Sequence, residues 1–180
     1  YFGTFYHKIR TPRHFLALLE SVCRQSPDLR ARLRVHFFGA LEPEFTAMFH
    51  RYPALSPNLA LHGMVTREET AAYMQAMDVL LHIGNTTDYH LPSKSADYLC
   101  SGKPIVNIAA CENDSFQGFA GNNPGLLNLY MNEESALPEH AATLIGWFEQ
   151  KYLQEHTSPL PCTHLQPPAI AGAYWEAIFR

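Results

Sequence analysis

Apolar positions in this chain fall into two alternating patterns. Unbroken runs of strand length, such as Val79-Leu80-Leu81-His82-Ile83 and Ile105-Val106-Asn107-Ile108, are separated by stretches where apolar residues recur every third or fourth position. The runs predict strands covered on both faces, and the wider spacing predicts helices with one buried stripe. Phe15, Leu18, Leu19 and Val22 form such a stripe, on a helix with Thr11 as N-cap, Pro12 at its first position and Pro27 beyond its end. A strand over 34–38 follows and is closed by Gly39. The next helix starts at Pro43 and has Phe45, Met48, Phe49 and Tyr52 on one face. A turn bracketed by Pro53 and Pro57 leads into a short strand over 58–62. Thr66 and Glu69 have the spacing of a capping box, which begins a helix running through Met77.

The stretch from 78 to 107 organises the rest. Gly84 ends the 79–83 strand, and a polar loop occupies 85–90. Pro92-Ser93 then opens a helix with Ser93 as N-cap, Gly102 stops it in a left-handed conformation, and Lys103-Pro104 leads into the strand over 105–108. Residues 111–125 are rich in Asn and Gly and read as loop, and 126–131 as one more strand. A long helix from Pro138 to about Leu153 buries Ala141, Leu144, Ile145 and Phe148. A Pro-rich connector over 156–168 precedes a final short helix over 169–179. Strands thus alternate with helices. The fold class expected is α/β, a Rossmann-like parallel sheet with helices on both faces, as one domain over 1–180. Such a sheet gathers its strand-to-helix loops on one edge, where ligands bind.

Composition narrows the function. The net charge of −4, with no Lys/Arg block, argues against a nucleic-acid-binding surface. No apolar run approaches the ~18–20 residues a membrane span needs. The four cysteines show no CxxC spacing, which predicts reduced thiols and a cytoplasmic protein. Position 1 falls inside a strand, so a fragment of a longer chain is expected. Neither G-x-G-x-x-G nor G-x-x-x-x-G-K-[ST] occurs, nor a serine nucleophile elbow. Those absences weigh against dinucleotide oxidoreductases, P-loop NTPases and α/β-hydrolases. The ten histidines form no H-x-x-x-H or Cys/His cluster, and no metal site is expected.

Three segments, in order, carry a family resemblance. HLPSKSADYLCSGKPIV resembles the donor-site segment of the family 4 group of GT-B glycosyltransferases. LALHGMVTREETAAYMQAMDVLL is similar to the preceding segment of the same proteins, and YFGTFYHKIRTPRHFLALLESV to the first strand and helix of their donor domain. Together they cover roughly one third of the chain, 62 of its 180 residues. The resemblance implies one half of a GT-B fold: a C-terminal domain that binds a nucleotide diphosphate sugar. The acceptor would be held by an N-terminal domain outside this sequence. Transfer would be retaining, without a cofactor and without a metal, and no D-x-D motif occurs.

The resemblance also assigns candidate residues. Gly3, Thr4, Lys8 and Arg10 belong to the first loop, which in the family brings a basic residue to the donor diphosphate; Lys8 and Arg10 are both placed for it. Gly63, Met64 and Val65 match a segment whose backbone reads the nucleobase edge. Pro92, Ser93 and Lys94 match the loop and helix start around the diphosphate, where free N–H groups and a cation suit an anion. The family's second carboxylate falls on Asp97, as acceptor for the ribose hydroxyls. The first falls on Tyr89, which departs from the pattern; Asp88 beside it replaces the carboxylate only by a shift of the loop. The catalytic candidates are therefore Lys94, Asp97 and Asp88. Residue chemistry alone leaves a plainer alternative, in which Lys94 and Asp97 form a surface pair at i, i+3. Two other functions stay open: a nucleotide-sugar epimerase of the same fold, and a non-catalytic nucleotide- or partner-binding domain.

Overall fold

The computed structural model describes residues 1–131 and 136–153; the expected connector and final helix lie outside the described residues. The element order is α1 (Arg13–Gln25), α2 (Pro27–Arg32), β1 (Val35–Phe38), α3 (Pro43–His50), a 3-10 helix (Pro53–Asn58), β2 (Leu59–Gly63), α4 (Arg67–Ala76), β3 (Leu80–Ile83), α5 (Ser95–Cys100), β4 (Ile105–Ala109), α6 (Ser115–Ala120), β5 (Leu126–Tyr130) and α7 (Leu137–Leu153). Every strand pair is parallel: β1 with β2, β3 with β4, and β4 with β5. The expected α/β architecture is what the structure shows.

Residues 1–3 lie beside β1. Phe2 pairs in parallel with Phe38, and the Gly3 N–H donates to the Phe38 carbonyl at 2.9 Å. No backbone ladder joins residues 1–3 to β3. A side chain bridges them instead: the Phe2 N–H donates to the Tyr98 hydroxyl at 2.9 Å, and that hydroxyl donates to the Leu81 carbonyl at 3.1 Å. The lateral order is therefore β2, β1, residues 1–3, β3, β4, β5. The chain winds outward from its first strand on one side, then returns to the other, so the topological switch point lies between residues 1–3 and β3.

Alternation along the strands divides two cores. Leu81, Ile83, Val106, Ile108 and Leu129 face α1 and α7; Leu80 and Ile105 face Met74 of α4, Tyr98 and Leu99 of α5, and Phe116 of α6. Helices thus cover both faces.

Several local expectations shift. Pro12, not Thr11, is the N-cap residue of α1, and Thr11 makes no capping bond. Pro27 does not simply follow a helix: it opens α2, because Ser26 accepts from the Leu29 N–H as an N-cap. The 111–125 stretch is not all loop, since Asp114 accepts from the Gln117 N–H and starts α6. Ser93 does not cap α5. The Ser95 N–H bonds the Pro92 carbonyl at 3.0 Å, forming a turn ahead of the helix, and Lys94 becomes the N-cap position. The capping box of Thr66 and Glu69 is present in both directions, and Gly102 has φ +68 as its stop role requires.

The bridge through Tyr98 yields a test. Tyr98→Phe keeps the buried ring and removes the one oxygen that serves both the Phe2 N–H and the Leu81 carbonyl. Two buried backbone groups then lose this partner, and a loss of about 1–3 kcal/mol is expected in urea unfolding. A change of a few tenths would show that the seam relaxes around the loss.

Candidate functional site

Four strand ends at the switch-point side of the sheet carry glycine: Gly63, Gly39, Gly3 and Gly84. Internal packing explains three of them. A Cβ on Gly39 would lie 2.0 Å from the Gly3 carbonyl oxygen, one on Gly84 would lie 2.4 Å from Asp114 Oδ2, and one on Gly3 would press on the Tyr1 hydroxyl at 3.0 Å. Gly63 differs: its φ is +73, and a Cβ there would meet nothing within 4 Å. Its carbonyl accepts from the Gly39 N–H at 2.7 Å, which places Gly63, Met64 and Val65 beside the first loop. Met64 is exposed, while Val65 packs against the second core.

The loop after residues 1–3 folds back on itself. Tyr6 and Arg10 exchange backbone bonds at 2.9 Å each, which forces the tip into a tight turn with Lys8 at φ +63. Thr4 offers its carbonyl to the Tyr1 hydroxyl at 3.3 Å. This loop is tied to the loop after β3. The Thr86 N–H donates to the Ile9 carbonyl and its hydroxyl to the Lys8 carbonyl, both at 2.8 Å, and Arg10 Nε donates to Asn85 Oδ1 at 2.9 Å. Asn85 is buried and spends its amide on the His90 carbonyl at 2.8 Å. The Arg10 guanidinium also lies over the Tyr6 ring, 5.9 Å from its centre. Sequence reading passed over Asn85, although an Asn immediately after a strand-ending glycine is a recognisable loop-forming residue.

The structure therefore brings the Lys8–Arg10 loop and the Gly63 segment to one edge, against the loop that leads to α5. Lys94 and Asp97 stand at the start of α5 and face one another, with Nζ to Oδ2 at 3.2 Å and both side chains well exposed. That is the surface pair their spacing allowed. Pro92 closes the turn before the helix through its carbonyl, as described above. Asp88 and Tyr89 are exposed on the loop, and the Tyr89 ring packs on His90 with centres 4.7 Å apart.

Beneath this loop runs a buried polar ladder. His82, Asn107 and Asn128 occupy matched positions on β3, β4 and β5. Asn107 Nδ2 donates to Asn128 Oδ1 and to Asp114 Oδ1, both at 2.9 Å. Its Oδ1 therefore accepts from His82 Nδ1–H at 2.7 Å, which fixes the tautomer and leaves Nε2 as an acceptor. Burial pushes the His82 pKa down to about 4; the Asn107 bond and the Asp114 charge only partly oppose it. Among the described residues, three buried side-chain polar atoms lack a protein partner: His82 Nε2, Thr87 Oγ1 and Ser95 Oγ. All three belong to the unit of β3, its loop and α5.

A cavity of about 330 Å³ lies elsewhere, at the amino end of the strands, lined by Tyr1, Val35, Val79, Leu81 and apolar residues of α1 and α7. It lies at the opposite end of the strands from the loops just described, and Arg32, Arg34, His36 and Asp78 add polar groups to its apolar walls. Among the described residues no group of three or more His, Cys, Asp or Glu side chains is placed to hold a metal ion, and no helix is long and apolar enough to cross a membrane. Compared with known proteins, the chain matches no family model and no curated sequence.

Titration of His82 is the direct check on the ladder. The unfolded imidazole takes up a proton near pH 6.5, whereas the folded one resists it until about pH 4. Its contribution to stability is thus complete above pH 6.5 and is lost as pH falls through that window. The difference in unfolding free energy between wild type and His82→Phe is expected to shrink steadily from pH 7 to pH 4. A difference that stays constant with pH would mean that His82 titrates normally.

Proposed function

We propose that this chain is the donor-binding domain of a glycosyltransferase, holding a nucleotide diphosphate sugar at the carboxyl edge of its sheet. The observation that carries the reading is that Thr87 Oγ1 and Ser95 Oγ, on the loop and helix that follow β3 at the topological switch point, are both buried without a protein partner. Buried polar atoms are ordinarily satisfied, so two such exceptions together mark a place for a polar ligand. Lys8 and Arg10 on the adjoining loop supply positive charge beside it, and Gly63, with open space where a Cβ would be, allows backbone approach. The resemblance of the 90–106 segment to family 4 donor sites supplies the identity of that ligand.

In this reading Lys94 leaves Asp97 to bind the diphosphate, and Asp97 accepts from the ribose hydroxyls. An exposed pair at 3.2 Å resists such an exchange by at most about 1 kcal/mol. Lys8, Arg10 and backbone N–H groups balance the charge that develops on the leaving diphosphate, so transfer proceeds without a metal. The acceptor is held by a second domain. Tyr6, Ile9, Met64, Tyr89 and Leu91 are exposed on these same loops and give that domain an apolar surface to meet. A second reading, nucleotide binding without transfer, is favoured by Tyr89, which stands where the family carries its first carboxylate. An epimerase of the same fold has no observation in its favour here.

Calorimetry with UDP, GDP and ADP in the presence of EDTA tests the proposal. One of the three is expected to bind. Lys94→Ala should weaken the diphosphate roughly ten- to a hundredfold and leave the plain nucleoside unaffected, whereas Asp97→Ala should weaken both. Unchanged affinity in both folded variants, or binding that requires Mg²⁺ or Mn²⁺, would remove the assignment.

A further inference from the structure

Asn85 is the residue on which the two loops of the candidate site converge. It is buried, although it stands in a polar loop just beyond the glycine that ends β3. Its side-chain oxygen accepts from Arg10 Nε at 2.9 Å, and its amide nitrogen donates to the His90 carbonyl at 2.8 Å. A guanidinium only donates and a carbonyl only accepts, so the two partners fix which way the amide points. An aspartate there would lack the donor, and a leucine both groups. The backbone carbonyl of Asn85 takes a third bond, from the Cys111 thiol at 3.7 Å.

The cation at the other end of this clamp is framed as closely. The Arg10 guanidinium lies over the Tyr6 ring, donates to the Tyr1 hydroxyl, and brings Nη1 to 3.7 Å from the space a Cβ on Gly3 would take. Gly3 ends the central strand at the topological switch point, the edge at which a parallel sheet binds its ligands. Asn85 and Tyr1 occupy only part of the five N–H groups of a guanidinium. Arg10 is half-buried, which leaves the others within reach of an anion. Lys8 is exposed at the tip of the turn and supplies charge without such a frame.

We propose that Asn85 is a positioning residue for the diphosphate of the donor: it aims the Arg10 guanidinium at the phosphate oxygens and, through the His90 carbonyl, holds the approach to α5 in the same frame. The inference rests on the donor-site reading and names the residue that organises that site. A guanidinium held at Nε still presents its outer nitrogens, whose planar fork suits two phosphate oxygens. Fixing a long side chain before the ligand arrives removes its ordering from the cost of binding.

Calorimetry with whichever of UDP, GDP and ADP binds the wild-type chain, and with the matching plain nucleoside, tests this. Arg10→Ala is expected to weaken the diphosphate about tenfold or more and Asn85→Ala about three- to tenfold, with the nucleoside unaffected by either. The double variant is expected to lose no more than Arg10→Ala alone, because Asn85 acts through the cation it holds. Equal losses of nucleoside and diphosphate in Asn85→Ala would make Asn85 a structural residue of the loop and overturn the proposal. Losses that multiply in the double variant would overturn it too. Arg10→Lys decides the matter if Asn85→Ala does not fold. It keeps the charge and loses the Nε bond, so a loss of about tenfold is expected, and wild-type affinity for the diphosphate would overturn the proposal. If none of the three diphosphates binds the wild-type chain, the donor-site reading fails and takes this inference with it.

Discussion

Two halves of a parallel sheet meet in this molecule without a ladder between them, and a phenol hydroxyl takes the ladder's place. Tyr98 stands on α5 and reaches under the sheet, where its oxygen accepts from Phe2 and donates to Leu81. Complete burial drives its pKa far above the ordinary phenol value, so it serves as a neutral donor and acceptor at any working pH. The geometry has a consequence for the edge above. Because the first strand and β3 are held apart by a side chain, their loops are free to diverge at the switch point. They are then drawn together by Arg10 on Asn85 and by Thr86 on the Lys8 and Ile9 carbonyls. The helix that carries Tyr98 also carries Lys94 and Asp97 at its start. The seam and the candidate ligand edge therefore share one short helix, and a shift of α5 would be felt by both.

The polar ladder is the second constraint. Three matched residues on three adjacent strands, His82 and Asn107 buried and Asn128 half-buried on the outer strand, are joined by hydrogen bonds, and Asp114 closes the row from the start of α6. Such an arrangement is unforgiving, because any slip in strand register would strand several buried polar groups at once. It also ties α6 to the sheet, while the Phe116 ring covers His82 at 4.0 Å. Asp114 does a further service: its Oδ2 fills the space in which a side chain at position 84 would stand. The glycine that ends β3 is thereby explained by packing rather than by a ligand. Gly39 has a similar internal reason, and of the four strand-end glycines Gly63 alone keeps its space open.

Much of the fold was legible in the chain. Runs such as 79–83 and 105–108 read as strands buried on both faces, because four or five apolar residues bounded by Gly84 or Pro104 are too few for a buried helix. The Thr66–Glu69 box and Gly102 are local signals, decided within one turn of backbone, and both were found where the spacing placed them. Where local signals competed, the reading slipped. Pro27 is a terminator after α1 and equally a good first residue for α2, and only Ser26 with its bond to Leu29 decides between them. Residues 111–125 hid α6 because six residues carry too little periodicity to show, although Asp114-Ser115 before Phe116 is a start signal.

The sequence by itself determined the strands and the longer helices, that the sheet is parallel, and which loops collect at its carboxyl edge, since these follow from spacing and from the direction of each crossover; the short helices α2 and α6 did not follow from it. Tertiary structure alone decided what the residues of those loops and strands touch. The pairing of Lys94 with Asp97, the clamp of Arg10 on Asn85, the tautomer of His82 and the approach of His62 to His36 all join positions whose distance is set by packing. His36 and His62 are 26 residues apart, and Arg10 and Asn85 are 75 apart. No periodicity in the chain encodes such a separation. It emerges only when the strands align and, at His62, when the extra residue of a bulge in β2 turns a side chain toward its neighbour.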